Sequence, residues 1–391
     1  MRFLSASFAV LVTAGCADQP IPVLASGPPN YAEDVTPILA RACWCCHQSD
    51  GIASNLESYA VVTAGIDEIL GSIASGEMPP GAGNATTGCV PVASPIATPT
   101  LDLAVLTAWR DAGTPRGLPE RDTPLPPRCG RLDAPETLRL DNGGYAPAAS
   151  TRVECFVLDG SPSEDTHVVG AHFEPGSAAV RSIALQLTPP PYEPGEAFDC
   201  PLGLGSLVSP EPLAYWQPGS GDMILPAGSG IPLAAGSSLT MRVQYQSAEP
   251  GLPIVTGVEL GLSASVRRPG RFALATDQAL TIEPGNAGAE RVSAASFTVP
   301  VRVESVALVM YDHGRAGRVE LVRSDDVTCL LDVPEWDVLG TRIFHLETPL
   351  DGRDAILRAR CTFDTTGSVT AVAWGDPPDG DVCIAAAYVT L

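Results

Sequence analysis

Cys43-Trp44-Cys45-Cys46-His47 is the stretch on which the first part of this chain depends, because two cysteines stand three positions apart and a histidine follows the second. This spacing is the attachment pattern of c-type haem. Cys43 and Cys46 would form thioethers with the porphyrin, and the short turn between them would present His47 to the iron as an axial ligand. The alternatives are a disulfide or a zinc half-site, but no second Cys/His pair follows at the spacing of a four-ligand zinc site.

The second axial ligand is expected to be Met78, which lies in the stretch Gly-Glu-Met-Pro-Pro at 76–80. Of the five methionines in the chain, this one follows the haem motif within the length of a small domain. The two prolines after it restrict the backbone and carry no N–H donor, which suits a rigid loop that holds a thioether over a metal. Cys45, the third thiol of the motif, is interpreted as a bystander or as a disulfide partner of Cys89.

Residues 30–118 resemble a class I-like cytochrome c domain of bacterial envelope proteins. The resemblance rests on an opening helix at 31–39, the CxxCH motif, the Met-Pro-Pro and a closing helix that contains Ala-Trp-Arg-Asp-Ala-Gly at 108–113. It implies a small all-α domain with one covalent haem c, held by the four residues above. It also implies single-electron transfer to a redox partner protein, at the higher potential that Met ligation favours.

The first 16 residues are typical of an export signal, with Arg2 before a short apolar run at 3–13. Thr-Ala-Gly-Cys at 13–16 resembles a bacterial lipobox, which predicts lipidation of Cys16 and a lipid anchor to the membrane. Cleavage near Ala17 and a soluble secreted form are the alternative. Residues 17–29 are a Pro-rich tether, and the expected location is the bacterial cell envelope, on the periplasmic or surface side.

The composition excludes one class of partner. All 23 basic residues are arginine, and they are outnumbered by 45 acidic residues, so the formal net charge is −22. Non-specific nucleic-acid binding needs the opposite sign, and no nucleic-acid partner is expected. The acidity fits solubility and docking to a basic redox partner.

From about residue 151 the pattern changes to short, alternating, β-branched runs between Gly/Pro turns, such as Val-Arg-Ser-Ile-Ala-Leu-Gln-Leu at 180–187. Many short strands at such spacing favour antiparallel sandwiches. We therefore expect a small all-α cytochrome c-like domain followed by two all-β jelly-roll sandwiches. The expected bounds are 30–118 for the haem domain, 119–144 for a Pro-rich linker, and 145–268 and 269–391 for the sandwiches.

The β region is similar to the copper type II, ascorbate-dependent monooxygenases, which include peptidylglycine α-hydroxylating and dopamine β-monooxygenase. The markers are Cys-Phe-Val-Leu at 155–158, Phe-Glu-Pro-Gly at 173–176, Leu-Asp-Val-Pro-Glu-Trp-Asp at 331–337 and Arg-Cys-Thr-Phe-Asp at 360–364. The family has two jelly-roll domains with one copper in each. The resemblance also implies the disulfides Cys155–Cys200 and Cys361–Cys383.

The copper ligands of that family are missing here. The adjacent histidines of its first site correspond to Arg181 and Ser182, and the third to Gln244. In the second site the His-x-His positions are Val309 and Tyr311, and the methionine position is Val382. Copper needs imidazole or thioether donors, so copper is not an expected cofactor. The remaining histidines, His167, His172, His313 and His345, are interpreted as structural.

These observations favour an exported mono-haem c-type cytochrome that transfers single electrons and carries a copper-free, monooxygenase-like β module. That module would bind or dock a partner or a small molecule, and the chain would be an electron carrier rather than an active monooxygenase. The alternatives are a copper monooxygenase-like hydroxylase supplied with electrons by its haem domain, and a structural or binding envelope protein.

Overall fold

The computed structural model describes residues 27–44, 47, 53–75, 78, 89–93, 100–117, 132, 134–149, 151–188, 192–200, 212–218, 220–246, 248–324, 326–338, 341–377 and 380–391. The signal at 1–16, most of the tether at 17–29 and most of the linker at 119–144 therefore lie outside the described residues. So do Cys16, Cys45, Cys46, Pro79 and Pro80.

In the described residues, every α-helix ends at or before Asp111. A π-helical turn at Tyr31–Val35 leads into α1 (Thr36–Ala42), and α2 (Tyr59–Ala74) and α3 (Thr100–Asp111) follow. Asn30 caps the first turn, since its side-chain oxygen accepts a hydrogen bond of 3.0 Å from the N–H of Glu33. The helices share one buried cluster, which includes Val35, Leu39 and Trp109.

The rest of the described chain is β-sheet. The strands are β1 (Val92–Ala93), β2 (Glu136–Asp141), β3 (Arg152–Val157), β4 (Thr166–Glu174), β5 (Val180–Leu187), β6 (Ala197–Asp199), β7 (Pro212–Trp216), β8 (Met223–Ile224), β9 (Ser229–Leu233), β10 (Leu239–Tyr245), β11 (Gly257–Ser263), β12 (Arg268–Thr276), β13 (Thr281–Ile282), β14 (Ala289–Ser296), β15 (Arg302–Val309), β16 (Gly314–Arg323), β17 (Asp326–Val333), β18 (Phe344–Asp351), β19 (Ile356–Phe363), β20 (Val372–Trp374), β21 (Gly380–Asp381) and β22 (Ile384–Thr390).

The strands form four sheets. The largest has ten strands, in the order β1-β18-β15-β22-β12-β9-β4-β11-β2 with β8 beside β4. A five-stranded sheet, β6-β3-β10-β5-β7, faces its first half, and a four-stranded sheet, β14-β19-β16-β17, faces its second half. One large apolar cluster lies within residues 140–272 with Tyr388 added, and a second lies within 275–389. Sheets that bury one face in this way account for the alternating sequence pattern.

The expected fold class is wrong. The structure is predominantly β-sheet with three short α-helices, and no separate all-α cytochrome c domain is evident in its described part. The helical segment contributes β1 to the ten-stranded sheet, where Val92 pairs with Leu346 and Ala93 with His345. The two β halves also share that sheet, because β12 pairs with β9 of the first half and with β22 of the second. Pairing between distant strands joins the three expected domains.

Three disulfides are present in the described residues. Cys155–Cys200 and Cys361–Cys383 are the two bonds that the resemblance implied, so the expectation of a disulfide-bonded protein is confirmed. The third joins Cys89 to Cys329, 240 positions apart, rather than to Cys45. It stands next to the paired strand β1, where the N–H of Val90 donates to the carbonyl oxygen of Cys329 at 3.0 Å.

Candidate functional site

His47 is held by the backbone on both sides. Its N–H donates to the carbonyl oxygen of Cys43 at 2.9 Å, and its own carbonyl accepts from the N–H of Leu56 at 2.9 Å. The ring atom Nδ1 lies 2.8 Å from the carbonyl oxygen of Ser54. Because a carbonyl oxygen only accepts, Nδ1 must carry the proton, and the lone pair of the neutral ring is left on Nε2. This is the usual arrangement of a metal-ligating histidine, whose second nitrogen is fixed by a carbonyl.

Two described neighbours of His47 in the chain pack against the helical cluster. Cys43 and Trp44 follow directly on α1; Trp44 is buried and donates from Nε1 to the carbonyl oxygen of Leu56 at 3.1 Å. Cys43 is partly buried against the helical cluster. The contact between His47 and Ser54 is itself exposed to solvent.

Met78 stands just beyond α2. Its N–H donates to the carbonyl oxygen of Ser72 at 2.9 Å, which ties the methionine to the last turn of that helix. The side chain is half-buried. A thiol at Cys43, an imidazole at His47 and a thioether at Met78 are the donor types of a haem c site, so these residues fit the group that the sequence implies. Cys46, the fourth predicted residue, lies outside the described ranges.

Two of the positions that the resemblance assigned to the first copper site form an interior polar pair. Ser182 on β5 and Gln244 on β10 are both buried and stand opposite each other in the strand register. The Ser182 hydroxyl donates to Gln244 Oε1 at 3.0 Å, which satisfies both groups. Arg181 precedes Ser182 on β5, so it lies on the opposite face of the sheet, where it is half-buried.

The positions that the resemblance assigned to the second copper site are mainly apolar. Val309, Tyr311 and Val382 belong to one small buried cluster, so the structure brings together the three positions that the resemblance assigned to one metal. Valine has no lone pair to donate, and burial raises the pKa of Tyr311, which keeps its hydroxyl protonated. The neighbouring Asp381 is fully buried and accepts from the N–H groups of Tyr311, at 2.7 Å, and of His313, at 2.9 Å.

A buried ion pair joins the two β halves next to these positions. Arg242 of β10 is paired with Asp376, and their side chains are 1% and 5% exposed. The hydroxyl of Tyr311 is 3.5 Å from the same carboxylate. Burial raises the pKa of Tyr215 well above its ordinary value, and its hydroxyl, although close to Ser182, completes no hydrogen bond.

A cavity of about 50 Å³ opens beside this ion pair, and we call it the seam pocket. It is lined from the first half by residues that include Tyr215, Asp222 and Met223, and from the second half by Ala307, Thr341, Arg342, Ile343 and His345. The volume is enough for about three or four water molecules or for a ligand of similar size. The hydroxyl oxygen of Thr341 is buried without a hydrogen bond, as is that of Tyr215. Buried polar atoms of this kind normally have a partner.

The titratable groups of the seam pocket are held by specific neighbours. Asp222 lies 2.7 Å from Nδ1 of His172, and this hydrogen bond raises the pKa of His172. Burial raises the pKa of Asp222. Burial lowers the pKa of His345, whose Nδ1 lies 2.7 Å from the hydroxyl of Ser305. The guanidinium of Arg342 is 1% exposed and adds a fixed positive charge to the lining.

The sequence did not single out the seam pocket. Asp222 is far along the chain from Thr341 and Arg342, which are adjacent, and none of the three lies in a motif. Only the folding of the two halves against each other brings them together. Of the histidines that were interpreted as structural, His345 lines the pocket and His172 contacts one of its lining residues.

Comparisons with known proteins assign no family. No family model matches the chain, and no curated protein matches it. Among solved structures, the major capsid protein P2 of bacteriophage PM2 is 10% identical and covers 65% of this chain and 97% of its own, with a TM-score of 0.27. A structure of infectious bursal disease virus, Gx strain, is 10% identical over 66% of this chain and 79% of its own, with a TM-score of 0.18. Similarities this weak carry no argument about function.

The fold and the site define a disulfide-bonded, predominantly β protein with a short helical segment that carries the CxxCH motif. None of the helices in the described part of the chain has the length and apolar character that a membrane crossing requires. Within the described ranges, no three His, Cys, Asp or Glu side chains gather into a metal-binding group.

Proposed function

We propose that the helical segment carries a covalently attached haem c and that the protein is an exported single-electron carrier with a redox partner protein. The observation that carries this proposal is the hydrogen bond between Nδ1 of His47 and the carbonyl oxygen of Ser54, which directs the Nε2 lone pair away from the backbone. The CxxCH spacing supplies the attachment chemistry. Three disulfides fit an oxidising compartment, as export to the cell envelope requires.

In this proposal each residue has a defined role. Cys43 and Cys46 hold the porphyrin through thioethers, His47 and Met78 are the axial ligands, and Cys16 carries the lipid anchor. The bound haem would supply a one-electron couple, and the protein would set its potential through the axial ligands. The hydrogen bond to Ser54 makes the His47 ring a stronger donor and fixes its orientation.

The test is production of the whole protein in a host that matures c-type cytochromes. Covalent haem survives denaturation, so we expect a haem-dependent peroxidase signal that migrates with the denatured chain. A double variant, Cys43→Ser with Cys46→Ser, should lose the signal. The control, Cys89→Ser with Cys329→Ser, removes the same number of cysteines elsewhere and should keep the signal. Colourless, iron-free wild-type protein from a competent host would refute the proposal.

A second function, ligand binding by the β region, is favoured by the seam pocket. Its lining contains Thr341, whose hydroxyl is buried without a hydrogen bond, and the buried, positively charged Arg342, so the ligand class that fits is a small carboxylate. The apolar side chains of Met223 and Ile343 would cover its hydrocarbon part.

Calorimetric titration with acetate, and with glycerol as the neutral comparison, tests this role. Saturable binding of acetate is expected, and Thr341→Val should weaken it about fivefold or more, since it removes one hydroxyl donor and little volume. Thr366→Val makes the same change at an exposed turn and should bind as the wild type does. Equal heats for acetate and glycerol, or wild-type binding by Thr341→Val, would rule the role out.

A further inference from the structure

The outer face of the four-stranded sheet β14-β19-β16-β17 carries a cluster of arginines. Residues of β19 alternate strictly: Leu357, Ala359, Cys361 and Phe363 are buried, while Arg358 and Arg360 point away from the core. In the register, Arg360 stands directly opposite Arg318 of β16, and Arg358 stands opposite Glu320. Three arginines therefore occupy two neighbouring strands of one face.

One carboxylate serves all three guanidinium groups. Glu320 is only 5% exposed, and its Oε2 is 2.6 Å from Nη2 of Arg358 and 3.2 Å from Nε of Arg360. Its Oε1 is 3.5 Å from Nε of Arg318. Three positive charges against one negative charge leave an excess of two. Asp332 stands opposite Arg318 on β17. If its negative charge is counted as well, the excess is one positive charge.

The pairing of Arg318 with Arg360 is unfavourable by itself. Like charges that stand directly opposite each other on neighbouring strands destabilise a sheet. Both side chains remain accessible, at 42% and 50% exposed. An anion placed between the two guanidinium groups would remove the repulsion and accept the unused N–H donors.

We propose that Arg318 and Arg360, with Arg358 behind them, bind an oxyanion of the phosphate type on this face. Arginine presents its donors as a planar fork that matches two oxygens of such a group, and a pair of forks fits a tetrahedral anion. Glu320 fixes the inner N–H groups of the cluster and leaves the outer ones for the ligand. The site uses none of the residues of the proposed haem site or of the seam pocket, so it goes beyond the proposed function.

The overall charge of the chain limits the distance over which the arginine cluster can attract an anion. With a net charge of −22, the long-range field of the protein repels anions, so the positive face must act at short range. The affinity for phosphate should therefore fall more when one of the two guanidinium groups is removed than when a distant positive charge is removed.

Calorimetric titration of the full protein with inorganic phosphate at constant ionic strength tests the site. Saturable binding to one site is expected. Arg318→Gln and Arg360→Gln should each weaken it about fivefold or more, and Arg318→Lys, which keeps the charge but loses the fork, should also weaken it. Glu320→Gln should bind more tightly because the competing carboxylate is gone.

Arg139→Gln is the matched control, because it removes one exposed arginine, ion-paired with Glu174, from the ten-stranded sheet. Its affinity for phosphate should equal that of the wild type. Binding that does not saturate, or that falls as much in Arg139→Gln as in Arg318→Gln and Arg360→Gln, means attraction to diffuse charge only and overturns the proposal. Circular dichroism of each variant confirms that a loss of binding is not a loss of fold.

Discussion

The Nδ1 atom of His47 lies 2.8 Å from the carbonyl oxygen of Ser54, seven residues further along the chain. The contact decides the tautomer of the ring, since the nitrogen that faces a carbonyl must carry the proton. It closes a small loop after the CxxCH motif, which the N–H of Leu56 completes by donating to the carbonyl of His47. In the folded chain, the histidine of the CxxCH motif therefore has a defined tautomer and a donor atom of fixed orientation.

Substitution of Met78 tests the sixth ligand. In Met78→Ala the haem should stay attached, because the thioethers are unaffected, but its reduction potential should fall once the thioether no longer favours the reduced iron. Val61→Ala, at a position of α2 that is 46% exposed, is the control and should leave the potential unchanged. Redox titration followed by visible spectroscopy measures both. An unaltered potential in Met78→Ala would assign the sixth position to another side chain.

The disulfide Cys89–Cys329 should stabilise the fold more than Cys361–Cys383 does. The bonds span 240 and 22 positions, and the entropy that a cross-link removes from the unfolded chain grows with the length of the closed loop. On that basis, replacing both cysteines of the longer loop with alanine should cost about 2 kcal/mol more. Urea unfolding of the two double variants measures the difference. Equal losses would show that local packing outweighs loop entropy.

Removing one partner of the Arg242–Asp376 ion pair should destabilise the protein more than replacing both partners with apolar residues. Both side chains are buried, so Asp376→Asn leaves a guanidinium inside the protein without its counter-charge, at a cost of about 3–5 kcal/mol. Replacing both partners, as Arg242→Met with Asp376→Leu, should cost less than the single change. Asp67→Asn breaks an exposed pair with Arg110 and should have no measurable effect on urea unfolding. A double variant that is less stable than Asp376→Asn would contradict this account.

The contact between His172 and Asp222 should make stability depend on pH. The hydrogen bond to Asp222 raises the pKa of His172 above its ordinary value of 6.5. Because the folded pKa lies above the unfolded one, the stabilisation is present in full below about pH 6.5 and is lost as the pH rises through the folded pKa. The free-energy difference between wild type and His172→Gln should therefore shrink between pH 5.5 and pH 8.5.

Unfolding in urea at several pH values measures that difference, with His167→Gln on the same strand as the matched control. Asp222, Glu174 and Glu259 are the carboxylates that face His172. Asp222→Asn should abolish the effect by removing the hydrogen-bonded charge. A pH dependence that persists unchanged in His172→Gln would belong to another group.

The predicted elements were reliable where a local period sets the structure. The opening helix expected at 31–39 is present as the turn at Tyr31–Val35 and α1, and the closing helix is the end of α3. Alternation along 180–187 predicted a strand, and β5 is that strand. The error concerned how the elements combine. Two residues, Val92 and Ala93, lie in a stretch without a clear period and yet attach the helical segment to the sheet.

By itself, the sequence determined the CxxCH spacing, the β character from about residue 151 onward and, through a resemblance, two disulfides. These depend on residue type and on spacing along one segment. The strand β2 at Glu136–Asp141 lies in the stretch that was expected to be a linker. Only the tertiary structure decided the Cys89–Cys329 bond, the seam pocket, the buried Arg242–Asp376 pair and the opposition of Arg318 and Arg360. Each of these joins residues from distant or separately folded segments. The pairing that brings them together depends on loop closure and on the packing of whole sheets, which no local pattern encodes.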